Sequence, residues 1–312
     1  MPEPVAYLNG QFLPFSQIAI SPTDVGFVQG VTVSEQLRTF GGRLFQLEKH
    51  LKRLQRSLAI IGVDPGLTLA EIGVNACELV YVNHRHLDPA DDLGLTIFIS
   101  PGQYSTYASQ NGRSGPTIGM HTFPLPFQQW HEKYQQGESL VTTEVRQVPN
   151  DCWPVELKCR SRMHYYLADL HAGNTEPGAR ALLLDHEGFV AEASTANLLI
   201  YERDRGLVSP PTEMILPGVS MGVLEQLAGD LAIPVSRRKL RVEDVASADE
   251  VLLCSTSPCV WSVTRLNGQP IGDGQPGPVT QRLRQAWSEQ VGFDIEAQAS
   301  RFAIREPMPS AA

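Results

Sequence analysis

The chain has 312 residues, of which 42% are hydrophobic and 19% charged, and it carries a formal net charge of −9. That balance is ordinary for a globular protein in water; no apolar run approaches the ~18 residues of a membrane span, and no Lys/Arg cluster forms a nucleic-acid footprint. Neither a membrane nor a nucleic acid is therefore expected as a partner, and a small-molecule role fits better.

The length exceeds that of a usual single core and points to two domains. The opening Met1-Pro2-Glu3-Pro4-Val5 lacks the basic region and apolar core of a secretory signal, so a cytoplasmic protein is expected. Cys77, Cys152, Cys159, Cys254 and Cys259 contain no C-x-x-C pair and read as buried free thiols. The histidines show no metal-ligand spacing, and no metal is expected.

Val5 to Leu8 and Phe12 to Leu13 flank Asn9-Gly10, a dipeptide suited to the positive φ angles of a hairpin turn. A second hairpin is predicted from Gln36 to Phe40 and Arg43 to Phe45 around Gly41-Gly42. Leu47, Leu51, Leu54 and Leu58 recur on one face of an amphipathic helix, and Ile72, Ala76, Leu79 and Val80 suggest another. The runs Leu95 to Ile99 and Ile118 to Met120 read as strands, which makes residues 1–125 an N-terminal α/β domain.

Residues 126–138, rich in Gln and charge behind Pro124 and Pro126, are predicted to be an interdomain linker. A C-terminal domain, residues 139–305, follows. Its strands are expected at 140–148, 180–185, 189–192, 197–202, 206–209, 251–256 and 260–266, and its helices at about 161–173, 220–232 and 278–291. Residues 306–312 read as a flexible tail.

Three stretches carry chemistry. Lys158 is followed closely by Arg160 and Arg162, and nearby guanidinium groups or burial make an amine nucleophilic by lowering its pKa from about 10.4. Glu192 lies on a predicted strand in the pattern G-x-V-x-E-x-S-x-x-N, filled by Gly188, Val190, Glu192, Ser194 and Asn197. Leu216-Pro217-Gly218-Val219-Ser220 opens a helix, where backbone amides and a hydroxyl suit a phosphate, and Thr256 and Ser257 add hydroxyls after a strand. An amine, a carboxylate and such a turn are the parts needed to hold pyridoxal 5′-phosphate (PLP), whose pyridine nitrogen stays protonated beside a carboxylate. On the helix from Leu47, the cations Lys49, Lys52, Arg53 and Arg56 lie near the polar side, and periodicity does not choose among them.

In this order the stretches resemble the class IV aminotransferases, the fold-type IV PLP enzymes. That family includes branched-chain and D-amino-acid aminotransferases and aminodeoxychorismate lyase. Asp24, Gly26, Gly30, Glu35, Arg38, Gly42 and the H-x-x-R-L run His50 to Leu54 follow the family's opening, so the likeness spans about residues 5 to 290.

The resemblance implies an α+β, two-domain fold with a smaller N-terminal α/β domain and a larger barrel-like C-terminal α/β domain. The cofactor would lie in the cleft between them, in a homodimer. It assigns Lys158 as imine partner and proton shuttle, and Glu192 as partner of the pyridine nitrogen. Arg53, Asn197, Leu216, Val219, Ser220, Thr256 and Ser257 join these as cofactor-binding residues. Arg38 matches a substrate-side arginine of the branched-chain group, whereas Arg160 and Arg162 are substrate candidates through their proximity to Lys158 alone; surface ion pairing is the alternative for all three. The implied reaction moves an amino group between an amino acid and a 2-oxo acid. A PLP-dependent lyase like aminodeoxychorismate lyase, or a non-catalytic binding protein on the same fold, are the competing readings.

Overall fold

The computed structural model describes residues 3–107 and 115–304, so the expected tail at 306–312 lies outside the described residues. The chain divides into two compact units. The first runs to Leu125 and also takes in Leu157–Ser161; the second comprises Pro126–Glu156 and Arg162–Arg305. Among the described residues no helix is long and apolar enough to cross a membrane.

The first unit contains β1 (Val5–Leu8), β2 (Gln11–Pro14), α1 (Val25–Val28), β3 (Val33–Phe40), β4 (Arg43–Leu44), α2 (Leu47–Ile60), α3 (Leu69–His84), β5 (Leu93–Ser100) and β6 (Thr117–Pro124). Its strands form an antiparallel sheet in the order β2-β1-β6-β5-β3-β4. The first hairpin turns through Asn9 and Gly10, both with the positive φ that this dipeptide tolerates. Alternation along the strands sends Leu37, Leu95, Ile97, Ile99, Ile118 and Met120 to one face. There they meet Leu51, Leu54 and Leu58 of α2 and Ile72, Ala76 and Leu79 of α3. Thr68 and Glu71 close a reciprocal capping box at the start of α3.

Leu157 packs against this core, and the short segment it begins is fastened to β3. Cys159 bridges Val33, the Ser34 amide donates to the Lys158 carbonyl at 3.0 Å, and the Arg160 amide donates to the Thr32 carbonyl at 2.7 Å.

The second unit contains α4 (Phe127–Gln136), β7 (Glu138–Arg146), α5 (Met163–Thr175), β8 (Arg180–Leu184), β9 (Val190–Ala193), β10 (Asn197–Glu202), β11 (Gly206–Ser209), α6 (Val219–Asp230), β12 (Val235–Arg237), α7 (Val242–Ala246), β13 (Glu250–Ser255), β14 (Cys259–Leu266), β15 (Gln269–Pro270), α8 (Pro278–Val291) and α9 (Ile295–Arg301). Its mixed sheet runs β12-β11-β10-β13-β14-β7-β8-β9, with β15 on β14. The strands β7 and β8 are parallel, so the chain must cross over between them, and α5 makes the crossover with Ala168 and Ala172 packed on Val141, Ala181 and Leu183. Glu250 accepts from the Val279 and Thr280 amides and so fixes the start of α8 to β13.

Several expectations change. Residues 126–138 are not an irregular linker: α4 fills most of them. Phe127, Trp130 and Tyr134 recur at helical spacing and are all buried, a periodicity masked by the glutamines between them. The helix expected from 161 starts at Met163 because the chain just before it, at residues 158–160, is hydrogen-bonded to residues 32–34 where β3 begins. Short β12 and α7, and α9 after the last expected helix, were not foreseen. Cys254 and Cys259 are buried, whereas Cys77 and Cys152 are exposed.

Candidate active site

Lys158 is held at its root. Its amide donates to Ser57 Oγ of α2 at 3.2 Å while its carbonyl accepts from the Ser34 amide, so the main chain is fixed from both sides, and the side chain is half-buried. Arg160 lines a cavity of about 550 Å³ in the first unit with Thr32, Thr96, Phe98, Ser100 and His121. Burial, then the Arg160 charge, lower the pKa of His121. Asp24 braces the cavity wall, accepting from the Gly26 amide, Ser100 Oγ and Thr117 Oγ1 at 2.6–2.7 Å.

Arg53 lies one helical turn after His50, and both reach Glu35 on β3. Arg53 forks onto the carboxylate, Nε to Oε1 at 2.8 Å and Nη2 to Oε2 at 2.7 Å, while His50 Nδ1 stands 2.7 Å from Oε2. Burial alone would raise the Glu35 carboxyl; the Arg53 guanidinium and the hydrogen bonds from Arg53 and His50 overcome it and hold the value at about 2.

In the second unit, Glu192 on β9 is 3% exposed. Its Oε1 accepts from Tyr165 Oη at 2.5 Å and Gln147 Nε2 at 3.1 Å, and its Oε2 from the Leu216 amide at 3.3 Å and Asn197 Nδ2 at 3.4 Å. All four donors are neutral. Burial pushes the Glu192 carboxyl up, against those hydrogen bonds and the Arg162 charge. Burial and the Glu192 charge keep the Tyr165 hydroxyl far above its ordinary value, so at neutral pH it is a donor.

Asn197 ties this carboxylate to the helix start that follows, donating also to the Leu216 carbonyl at 3.0 Å. Helix α6 begins after Gly218 with no side-chain cap, and Val219 and Ser220 form its first turn. Ser220 Oγ lies 3.4 Å from Thr256 Oγ1, next to buried Ser257 in the turn between β13 and β14. The donor set suits PLP: buried carboxylate oxygens for a cationic ring nitrogen, and helix amides with hydroxyls for a phosphate.

The second unit thus gathers Glu192, Asn197, Leu216, Val219, Ser220, Thr256 and Ser257, while Lys158, Arg53 and Arg160 belong to the first. Arg38 is not brought to the Lys158 segment. It sits at the far end of β3, fully buried, with its guanidinium 4.0 Å from the Phe40 ring centre and 3.9 Å from Asp92. A buried guanidinium needs such a partner. Arg162 does not share a helix face with Lys158 either; it precedes α5 and lies over Tyr165 at 6.0 Å. Tyr165 and Gln147 were missed because a tyrosine and a glutamine carry no chemical signature until a fold aims them at a carboxylate. His50 and Glu35 stood in the quoted motif without a role.

The model of the family described as amino-transferase class IV matches residues 32–266. The D-alanine aminotransferase of Bacillus licheniformis is 28% identical over 285 residues, which cover 91% of this chain and 95% of that protein. The branched-chain amino acid aminotransferase of Escherichia coli shares the fold with a TM-score of 0.84 at 21% identity, over 92% of this chain and 94% of that one. The T.th. branched-chain amino acid aminotransferase solved with pyridoxamine 5′-phosphate gives a TM-score of 0.82 at 24% identity, over 93% of this chain and 95% of that one. With a match across three quarters of its length and the fold to go with it, the chain belongs to the class IV aminotransferases, the α+β fold-type IV enzymes that carry out transamination with PLP.

Proposed function

We propose that Lys158 and Glu192 serve one PLP, and that transamination runs through Lys158. The observation that carries the reading is Glu192, a buried carboxylate whose hydrogen bonds all come from neutral groups. Such a group is costly to ionise unless a cation joins it, and the pyridinium of the cofactor is that cation. Bound PLP supplies an aldehyde that takes up amino groups and a ring that draws electrons from the reacting carbon.

Lys158 Nζ would hold the cofactor and carry a proton at the reacting carbon; a main chain fixed from both sides suits both tasks. The first turn of α6, with Ser220, Thr256 and Ser257, takes the phosphate. Arg53, its plane set by Glu35, adds a charge-assisted contact. Arg160 receives a substrate carboxylate beside the cavity that it lines. The relatives act, by name, on D-alanine or branched-chain amino acids, so aliphatic donors with a 2-oxo acid acceptor are the substrates to try first. A cytoplasmic homodimer completes the reading.

Borohydride reduction of the PLP-treated protein followed by peptide mapping tests it. A pyridoxyl mark on Lys158, absent in Lys158→Ala, is expected; a mark on another lysine overturns the assignment. Light scattering at twice the chain mass checks the dimer.

A further inference from the structure

Glu192 is held asymmetrically. The two shorter hydrogen bonds, from Tyr165 and Gln147, converge on Oε1, and the two longer ones, from Leu216 and Asn197, reach Oε2. Both short-bond donors have fixed roots. Tyr165 is on the first turn of α5 and packs against the small core that α5 shares with β7 and β8. Gln147 is pinned just after β7 by its amide, which donates to the Leu184 carbonyl at 2.9 Å. With Nε2 committed to Glu192, Gln147 Oε1 is left buried without a hydrogen bond. That arrangement is retained only if the donor half must face the carboxylate, because the flipped amide would set two acceptors against each other.

We infer that Tyr165 and Gln147 form a clamp on Oε1 that keeps Glu192 ionised and turns Oε2 toward the cofactor nitrogen. The inference rests on the cofactor role proposed for Glu192. Tyr165 and Gln147 are positioning residues: they act on the cofactor through Glu192.

The electrostatic argument is a competition. Burial opposes the carboxylate's charge, and a hydroxyl and an amide aimed at one oxygen favour it. The Leu216 amide cannot be removed by substitution and Asn197 also serves the Leu216 carbonyl, so the clamp is the part that can be altered cleanly. Arg162, at the head of α5, is the charged side chain that favours the ionised form from outside the hydrogen-bonded set.

Tyr165→Phe removes one oxygen atom and keeps the ring in its packing, and Gln147→Met serves as the second variant. The first readout needs no cofactor. The infrared difference between each apoprotein and its Glu192→Gln partner at pH 7 is expected to show an ionised carboxylate for the parent and a protonated carboxyl for Tyr165→Phe. The second uses PLP labelled with ¹⁵N at the ring nitrogen: a protonated shift is expected in the parent and an unprotonated shift in Tyr165→Phe. Turnover should fall about tenfold or more with little change in KM, as for loss of one aimed donor. Gln147→Met should move all three readouts in the same direction by less.

An ionised Glu192 in Tyr165→Phe apoprotein, or an unchanged ¹⁵N shift, overturns the clamp even if turnover falls. Failure of the Lys158 assignment would be seen separately, as a pyridoxyl mark on another residue, and leaves the infrared result to be judged alone.

Discussion

Glu35 and Glu192 are two glutamates buried to the same degree and treated in opposite ways. Glu35, on β3, is gripped by a guanidinium fork and an imidazole, and its pKa falls to about 2. Glu192, on β9, meets a phenol, two amide side chains and one backbone amide, and its pKa rises. Burial is common to both, so the partners decide. A carboxylate neutralised by its own chain's arginine is a structural joint with its charge spent. One held only by neutral donors is stable, oriented and short of a cation, which is the condition in which a site meets a charged ligand.

If that contrast is right, the largest effect on stability comes from the joint. Glu35→Gln leaves the Arg53 guanidinium buried beside a neutral amide, and removing one partner of a buried pair costs about 3–5 kcal/mol. Urea unfolding at pH 7 should show it; a loss below about 1 kcal/mol would mean that Arg53 finds a new partner and that the pair is no joint.

Acid should act on the same joint. The folded-state value of Glu35 lies below its unfolded one, so its stabilisation is present above pH 4.5 and is lost as pH falls toward 2, a loss of about 3 kcal/mol for a shift of this size. Glu192 has the opposite sign. Its raised folded-state value favours the fold at low pH, and that contribution disappears as pH rises from 4.5 through the folded value. Unfolding of the apoprotein across this range should therefore lose its acid limb in Glu35→Gln and the decline above pH 4.5 in Glu192→Gln. Identical profiles would erase the distinction.

Glu192→Gln should also reverse the balance between stability and turnover. The apoprotein should be as stable as the parent or more so, since an expensive charge is gone. Turnover should fall about 100-fold with the loss of an aimed electrostatic group. Steady-state kinetics beside thermal unfolding checks both. Normal turnover would remove Glu192 from the chemistry.

How much of this could be read in advance follows the same divide. The hairpin at Asn9-Gly10, the Leu47 to Leu58 face and the strand carrying Glu192 were legible because period and turn chemistry are local properties of sequence. The motif around Glu192 singled out the carboxylate but not Tyr165 or Gln147. Those residues lie 27 and 45 positions away, and only the α5 crossover and the end of β7 deliver them. Arg38 shows the converse. Its motif position made it a substrate candidate, and nothing local announced its burial beside Asp92, which lies far along the chain just before β5. The helix α4 was hidden because Pro124 and Pro126 precede it and glutamines fill much of it, while three aromatic residues set its period.

The smallest effect concerns the link between Glu192 and the helix start. Gly218 has an ordinary φ of −68°, so alanine is allowed by the backbone there, but its Cβ would overlap Asn197 Oδ1. Asn197 must then shift, and it donates both to the Leu216 carbonyl and to Glu192 Oε2. Gly218→Ala should thus disturb the phosphate turn and the carboxylate together, at a cost of about 1 kcal/mol for one strained hydrogen-bond pair, or roughly a fivefold loss in PLP affinity. Arg53 and Glu35 are untouched, so the acid limb should not change. A fluorescence titration with PLP reads the first effect and the pH profile the second. A Gly218→Ala protein that binds PLP like the parent would show that Asn197 has room to move, and that the carboxylate and the helix start are set independently.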